Sequence, residues 1–142
     1  MLFQVLAERG FFPVEKLSEF GQPGSVFHEH PPKPGYIPGV EAATGSLGHG
    51  LPMALGMAVA QRIQGIQSRC YALLSDGECN EGSVWEALML APKLKLDNLC
   101  AIIDMNGFQQ TGSTNDILTN NNLVDKVSSF GWNLSSIDGH SY

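Results

Sequence analysis

The chain has 142 residues, enough for a domain with its own core, and a net charge of −6 with no basic run, which argues against a nucleic-acid surface. Apolar residues make up 43% and charged residues 15%, the balance of a globular protein; no apolar run reaches the length of a membrane span, and the N-terminus lacks the basic start of a signal peptide. The three cysteines (Cys70, Cys79, Cys100) lack metal-ligand spacing and fit a reducing, cytoplasmic compartment.

In chain order, "LFQVLAERG" predicts a helix closed by Gly10. "FPVEKLSEFG" predicts a second short helix, with Pro13 in its first turn and Gly21 after its end. Residues 21–40 read as loop, with Pro23, Pro31, Pro32, Pro34, Pro38, His28 and His30. The Gly-rich run "TGSLGHG" then opens the helix "LPMALGMAVAQRI". "CYALLSD" predicts a buried strand, "GSVWEALMLAPKLKL" a helix bent or broken near Pro92, and "LCAIIDM" a second buried strand. Residues 109–122 read as a polar loop, "LVDKVSSFG" as a short helix ended by Gly131, and "WNLSSID" as a third strand. Near-continuous apolar strands alternating with helices predict an α/β fold: a doubly wound, mostly parallel sheet covered by helices on both faces.

In such sheets ligands bind beyond the carboxyl ends of the strands. Asp76 ends the first predicted strand and Asn106 the second, about thirty positions on, the length of one βαβ unit. A carboxylate and an amide oxygen on one rim are hard oxygen donors, suited to Mg²⁺ or Ca²⁺, and magnesium commonly completes its shell from phosphates. Gly77 lets backbone pass close to a bulky anion, and the helix after Gly82 presents N–H groups to it. An isolated Asp-Gly is most simply a turn; the paired Asn106 and the Gly-rich run favour a site.

Asp-Gly followed at that distance by Asn also resembles the diphosphate-binding pattern of thiamine-diphosphate enzymes. "PGVEAATGSLGHGLPMALGMA", "SDGECNEGSVWEA" and "KLDNLCAIIDMNGFQQTG" together look like transketolase, most of all the N-terminal, diphosphate-binding half of split bacterial transketolases. The resemblance implies the thiamine-diphosphate-binding fold, thiamine diphosphate and Mg²⁺ or Ca²⁺ as cofactors, and transfer of a two-carbon ketol unit between sugar phosphates. It implies that Asp76, the Asn106 side chain and the Phe108 carbonyl ligate the metal, and that Gly77 and Asn106 contact the cofactor's diphosphate. Gly45, Ser46 and Leu47 would touch the cofactor near its rings. Glu81 would meet the activating glutamate of a partner domain, and His30 would be the substrate histidine. The loop "FHEHPPKPGYIPGVE" is one residue longer than the family's, so His28 competes with His30.

Ser75 stands where the family usually has glycine. Set against the family, residues 1–142 correspond to one partial diphosphate-binding domain, short at both ends and without the pyrimidine-binding and C-terminal domains. The expectation is a homo-oligomer or a heteromer with a pyrimidine-domain subunit, inactive as an isolated chain. Two alternatives stand beside it: another thiamine-diphosphate enzyme, such as deoxyxylulose-phosphate synthase or a dehydrogenase E1 subunit, and an inactive module that keeps the fold. His49, His140, Cys79 and Trp85 read as structural or loop residues.

Overall fold

The computed structural model describes residues 1–118 and 122–141. The chain divides into two compact units, Met1–Ser46 and Leu47–Tyr142.

In the first unit, helix α1 (Leu2–Glu8) buries Phe3, Leu6 and Ala7, the i, i+3, i+4 stripe of an amphipathic helix. Gly10, at φ +79°, turns the chain out of it. The second expected helix is a 3₁₀ helix, Val14–Glu19, preceded by an extended Pro13. On its exposed side Lys16 Nζ pairs with Glu19 Oε1 at 2.6 Å. The core is aromatic: Phe27 packs edge-on to Phe3, with ring centroids 5.4 Å apart, and against Phe12 at 5.1 Å. Ile37 and Val40 complete it from the proline-rich loop.

The second unit is built on one parallel crossover, β1–α3–β2. Helix α2 (Gly50–Gln64) ends at Gly65, in the left-handed region at φ +71°. Strand β1 (Cys70–Ser75) pairs in parallel with β2 (Leu99–Asp104), in a register running from Cys70 beside Leu99 to Ser75 beside Asp104. A short 3₁₀ turn (Glu78–Asn80) and helix α3 (Gly82–Lys93) connect them. One sheet face, with Cys70, Ala72, Leu74 and Leu99, packs into a core with Leu51, Ala54, Leu55 and Ala58 of α2 and Val84, Ala87, Leu88 and Ala91 of α3.

On the other sheet face Tyr71, Leu73 and Ile102 are 62%, 64% and 51% exposed among the described residues. Apolar composition alone does not separate a strand buried on two faces from one buried on a single face; only the packing does.

Pro92 lies in the last turn of α3, and the helix ends one residue later at Lys93. A proline cannot donate to the carbonyl four residues earlier, which here belongs to Leu88. Trp132 Nε1 takes that place, donating to Leu88 O at 2.8 Å. Arg62 of α2 caps the same helix end, donating to the carbonyls of Leu94 and Lys95 at 2.8 Å each.

Two further expectations are corrected. Residues 132–138 form no strand: a strand exists only through a ladder, and Trp132 is fastened instead to a helix carbonyl. The stretch after Gly107 is not simply loop. It holds a small antiparallel hairpin, β3 (Phe108–Gln109) with β4 (Gly112–Ser113), and a single helical turn, α4 (Thr114–Ile117), capped by Ser113 Oγ accepting from Asn115 N at 3.2 Å. Helix α5 (Leu123–Ser129) follows and ends before Gly131 at φ +96°, as expected. Among the described residues no helix is long and apolar enough to cross a membrane.

Candidate functional site

Parallel strands bring their carboxyl ends to one rim, and the rim is where Asp76 sits. Its N–H donates to Asp104 O at 3.1 Å, continuing the ladder one step past β1. Its side chain is 6% exposed. Oδ1 accepts from Gly77 N at 3.0 Å and Oδ2 from Gly107 N at 3.1 Å; the Thr114 hydroxyl reaches Oδ2 at 3.4 Å. Bonds from both strand ends therefore set the direction of the carboxylate. Gly107 has φ +77°, a conformation that glycine adopts without strain, and its carbonyl accepts from Thr114 N at 2.9 Å. A cavity of about 270 Å³ opens beside Asp76, lined also by Met105, Gly107, Thr114, Asn115, Asn122 and Leu123.

Asn106 is exposed at the end of β2. Its Oδ1 accepts from Phe108 N at 2.9 Å and its Nδ2 donates to Asp104 Oδ2 at 3.2 Å. Its side chain thus folds over its own turn, with the amide oxygen directed to the backbone that begins β3. Phe108 itself is 68% exposed. Asp76 and Asn106 meet at one rim, as their spacing predicts, and Gly77 and Phe108 adjoin them.

Gly77 is buried beneath the Gln109 side chain. Its backbone, φ −65° and ψ −35°, suits any residue. What excludes a side chain is space: a Cβ there would lie 2.7 Å from Gln109 Cγ. The missing methyl is taken up by Gln109.

The acidic patch after Asp76 divides into two tasks. Glu78 Oε1 accepts from Gly48 N at 3.0 Å, and Ser75 Oγ accepts from Glu78 N at 3.0 Å. Ser83 Oγ donates to Gly48 O at 2.8 Å. Gly48 is buried, at φ +82°, and a Cβ on it would meet Glu81 Cβ at 2.5 Å. Glu78 and Ser83 therefore clamp both polar groups of this glycine in the Gly-rich run, while Glu81 is exposed against the same residue. Leu47, one residue before, is 55% exposed. Glu78, Ser83, Gly107 and Thr114 carry the site's geometry and were not singled out from the sequence. The one available signal was the density of acidic residues after a strand-ending Asp-Gly.

Within the first unit, His30 lies against Gly45: a Cβ there would come 3.0 Å from His30 Cγ. Thr44 N donates to Pro31 O at 3.4 Å, tying the two stretches together. His30 thus borders the Gly-rich run at Gly45. Ser46 is exposed at the end of this unit.

Three further residues that the sequence sets apart make local contacts. Trp85 packs edge-on to Phe130 and donates to Cys79 O at 2.7 Å. His49 Nδ1 lies 3.2 Å from Leu47 O, a local contact. Cys79 is fully buried; burial first, and then the charges of Glu78 and Asp76, push its thiol from 9.0 up to about 11. A thiol so raised stays protonated near neutrality and makes a poor nucleophile.

Among the described residues no three His, Cys, Asp or Glu side chains cluster so as to hold a metal. The expected donors are different: one carboxylate, one amide oxygen and one backbone carbonyl. That set supplies little negative charge, and it fits a hard cation whose remaining charge comes from a phosphate ligand. Beside it, Gln109 Nε2 is buried without a hydrogen-bond partner, a donor suited to an anion. On both counts the residues fit a metal and a diphosphate.

Comparison with known proteins agrees. Residues 1–142 match the family described as transketolase, thiamine diphosphate binding domain. The chain is 39% identical over 140 residues to a 6-deoxy-6-sulfo-D-fructose transketolase subunit of Clostridium sp. (strain MSTE9), covering 99% of this chain and 50% of that protein. It is 38% identical over 138 residues to one of the apulose-4-phosphate transketolase subunits of Phocaeicola vulgatus, covering 97% and 48%. A crystal structure of a transketolase mutant from Pichia stipitis with xylulose 5-phosphate superposes at a TM-score of 0.85 and 34% identity, over 92% of this chain and 21% of that one. The chain spans about half the length of the subunits it matches. With the paired Asp76 and Asn106 motifs on adjacent parallel strands and a match over its whole length, the chain belongs to the transketolase family, in its thiamine diphosphate binding domain.

Proposed function

We propose that this chain holds the diphosphate and the divalent cation of thiamine diphosphate in an enzyme that transfers a two-carbon ketol unit between sugar phosphates. The observation that carries the proposal is the Asp76 carboxylate, held from two strand ends by Gly77 N and Gly107 N. A ligand oriented in advance by backbone donors needs no rearrangement to bind metal.

In this reading Asp76, the Asn106 side chain and the Phe108 carbonyl hold Mg²⁺ or Ca²⁺. Gly77 and Asn106 lie along the diphosphate. Gly45, Ser46 and Leu47 border the rings. When bound, thiamine diphosphate supplies an electron sink for carbon–carbon cleavage. Glu81 is exposed and so available to a glutamate from another domain, and His30 is the substrate-side histidine. The activating glutamate comes from a pyrimidine-binding domain outside these residues, in a second subunit or a second copy. The relatives named as subunits support a heteromer. The cytoplasm, where sugar phosphates are made and used, is the compartment that suits this reaction.

Calorimetric titration with thiamine diphosphate, with and without Mg²⁺, tests the proposal. Binding that requires the metal is the expected result. A folded sample that binds nothing, alone and with a pyrimidine-domain partner, would leave an inactive module with the same fold.

A further inference from the structure

Gln109 closes β3 and pairs with Gly112 across the hairpin. The hairpin is anchored at its base, where Gly107 N donates to Asp76 Oδ2 at 3.1 Å and Gly107 O accepts from Thr114 N at 2.9 Å. That anchoring lays the Gln109 side chain over Gly77. A Cβ on Gly77 would meet Gln109 Cγ at 2.7 Å and Cδ at 3.3 Å. The far end of the side chain, Nε2, is buried and has no hydrogen-bond partner.

A buried amide donor with no acceptor bears its whole desolvation cost, and such groups are rare in native proteins. This one stands beside the residue assigned to the diphosphate. An anionic phosphate oxygen is the acceptor that would gain most from it, because a hydrogen bond to a charged oxygen is about twice as strong as a neutral one. A glutamine also adds no charge of its own, so it reads an anion without competing for the metal as a carboxylate would.

We propose that Gln109 is a specificity-determining residue that donates through Nε2 to the diphosphate of bound thiamine diphosphate, favouring the diphosphate over the monophosphate. This rests on the functional reading above. It adds to Asp76, Asn106, Phe108 and Gly77 a side chain from the hairpin, outside the residues to which the family resemblance gave a role.

The test uses Gln109→Leu in the full chain, with two readouts besides activity. The first is the thermal midpoint of the ligand-free protein. Removing a buried amide donor that has no acceptor leaves it unchanged or raises it. The second is calorimetric affinity, in Mg²⁺, for thiamine diphosphate and for thiamine monophosphate. The expected result is a roughly tenfold loss for the diphosphate and a much smaller change for the monophosphate. Equal loss for both ligands, or unchanged diphosphate affinity, overturns the assignment. A fall of several degrees in the ligand-free midpoint also overturns it, since the amide would then serve the fold. If the leucine variant does not fold, Gln109→Met carries the same comparison. Wild-type protein that binds neither ligand would overturn this inference together with the reading beneath it; wild-type binding matched by the variant overturns this inference alone.

Discussion

Glu78 Oε1 accepts a hydrogen bond from Gly48 N at 3.0 Å, thirty positions away in the chain. The contact joins the Gly-rich run to the turn that follows Asp76, so the two motifs of the family are mechanically linked. Glu78→Ala removes a charge-assisted bond and leaves Gly48 N unpaired in a buried position. It is expected to lower stability by about 1–3 kcal/mol. Glu78→Gln, which keeps an acceptor oxygen, should recover part of that. Chemical denaturation of both variants measures the difference, and equal stability of Glu78→Ala and wild type would show that the clamp contributes nothing.

Asp76→Asn keeps the shape of the side chain but replaces one oxygen by a donor that faces a backbone N–H. Metal-dependent binding of thiamine diphosphate should be lost, and Asp76→Ala should lose it as well. Far-UV circular dichroism should stay as in wild type, because the β1–β2 ladder does not depend on that side chain. Calorimetry with and without Mg²⁺ decides. Undiminished affinity in either variant removes Asp76 from the metal site.

Trp132 Nε1 occupies the acceptor that Pro92 leaves vacant at Leu88 O. Trp132→Phe keeps an aromatic ring and deletes the donor. A loss of about 1–2 kcal/mol is expected, seen as a drop of a few degrees in the thermal midpoint. Pairing it with Pro92→Ala, which restores a helix N–H to Leu88 O, should cancel most of the loss. Additive effects of the two changes would sever the link.

Cys79 gives a pH signature with a defined sign. Its folded thiol is raised to about 11, chiefly by burial, above the ordinary 9.0. In the unfolded chain the thiol ionises first, so deprotonation favours unfolding. The stabilisation is complete below pH 9 and is lost as pH rises from 9 to about 11. Cys79→Ala should flatten that part of the stability curve relative to wild type. Near neutral pH a thiol reagent should modify the exposed Cys100 well before Cys79. Rapid labelling of Cys79 in the folded protein would contradict its burial.

Much of the molecule was legible as sequence because it depends on local chemistry. Helix ends at Gly10 and Gly131 follow from the left-handed conformation that glycine alone adopts cheaply, and the order of strand and helix in 70–104 follows from apolar runs and their punctuation. The meeting of Asp76 and Asn106 at one rim followed too, because a parallel crossover of that length has one sensible outcome. What only the tertiary structure decided were matters of partnership. Residues 132–138 carry strand-like residues but no ladder, since Trp132 is drawn to the carbonyl that Pro92 orphans. Tyr71, Leu73 and Ile102 are as apolar as buried strand residues, yet among the described residues they stand exposed. Glu78 and Glu81 look alike in the sequence and diverge only because Gly48 offers its N–H to one of them. Gln109 acquires meaning solely by lying over Gly77. A residue's own preferences are written locally, but which distant group satisfies its hydrogen bonds is set by how the chain closes on itself.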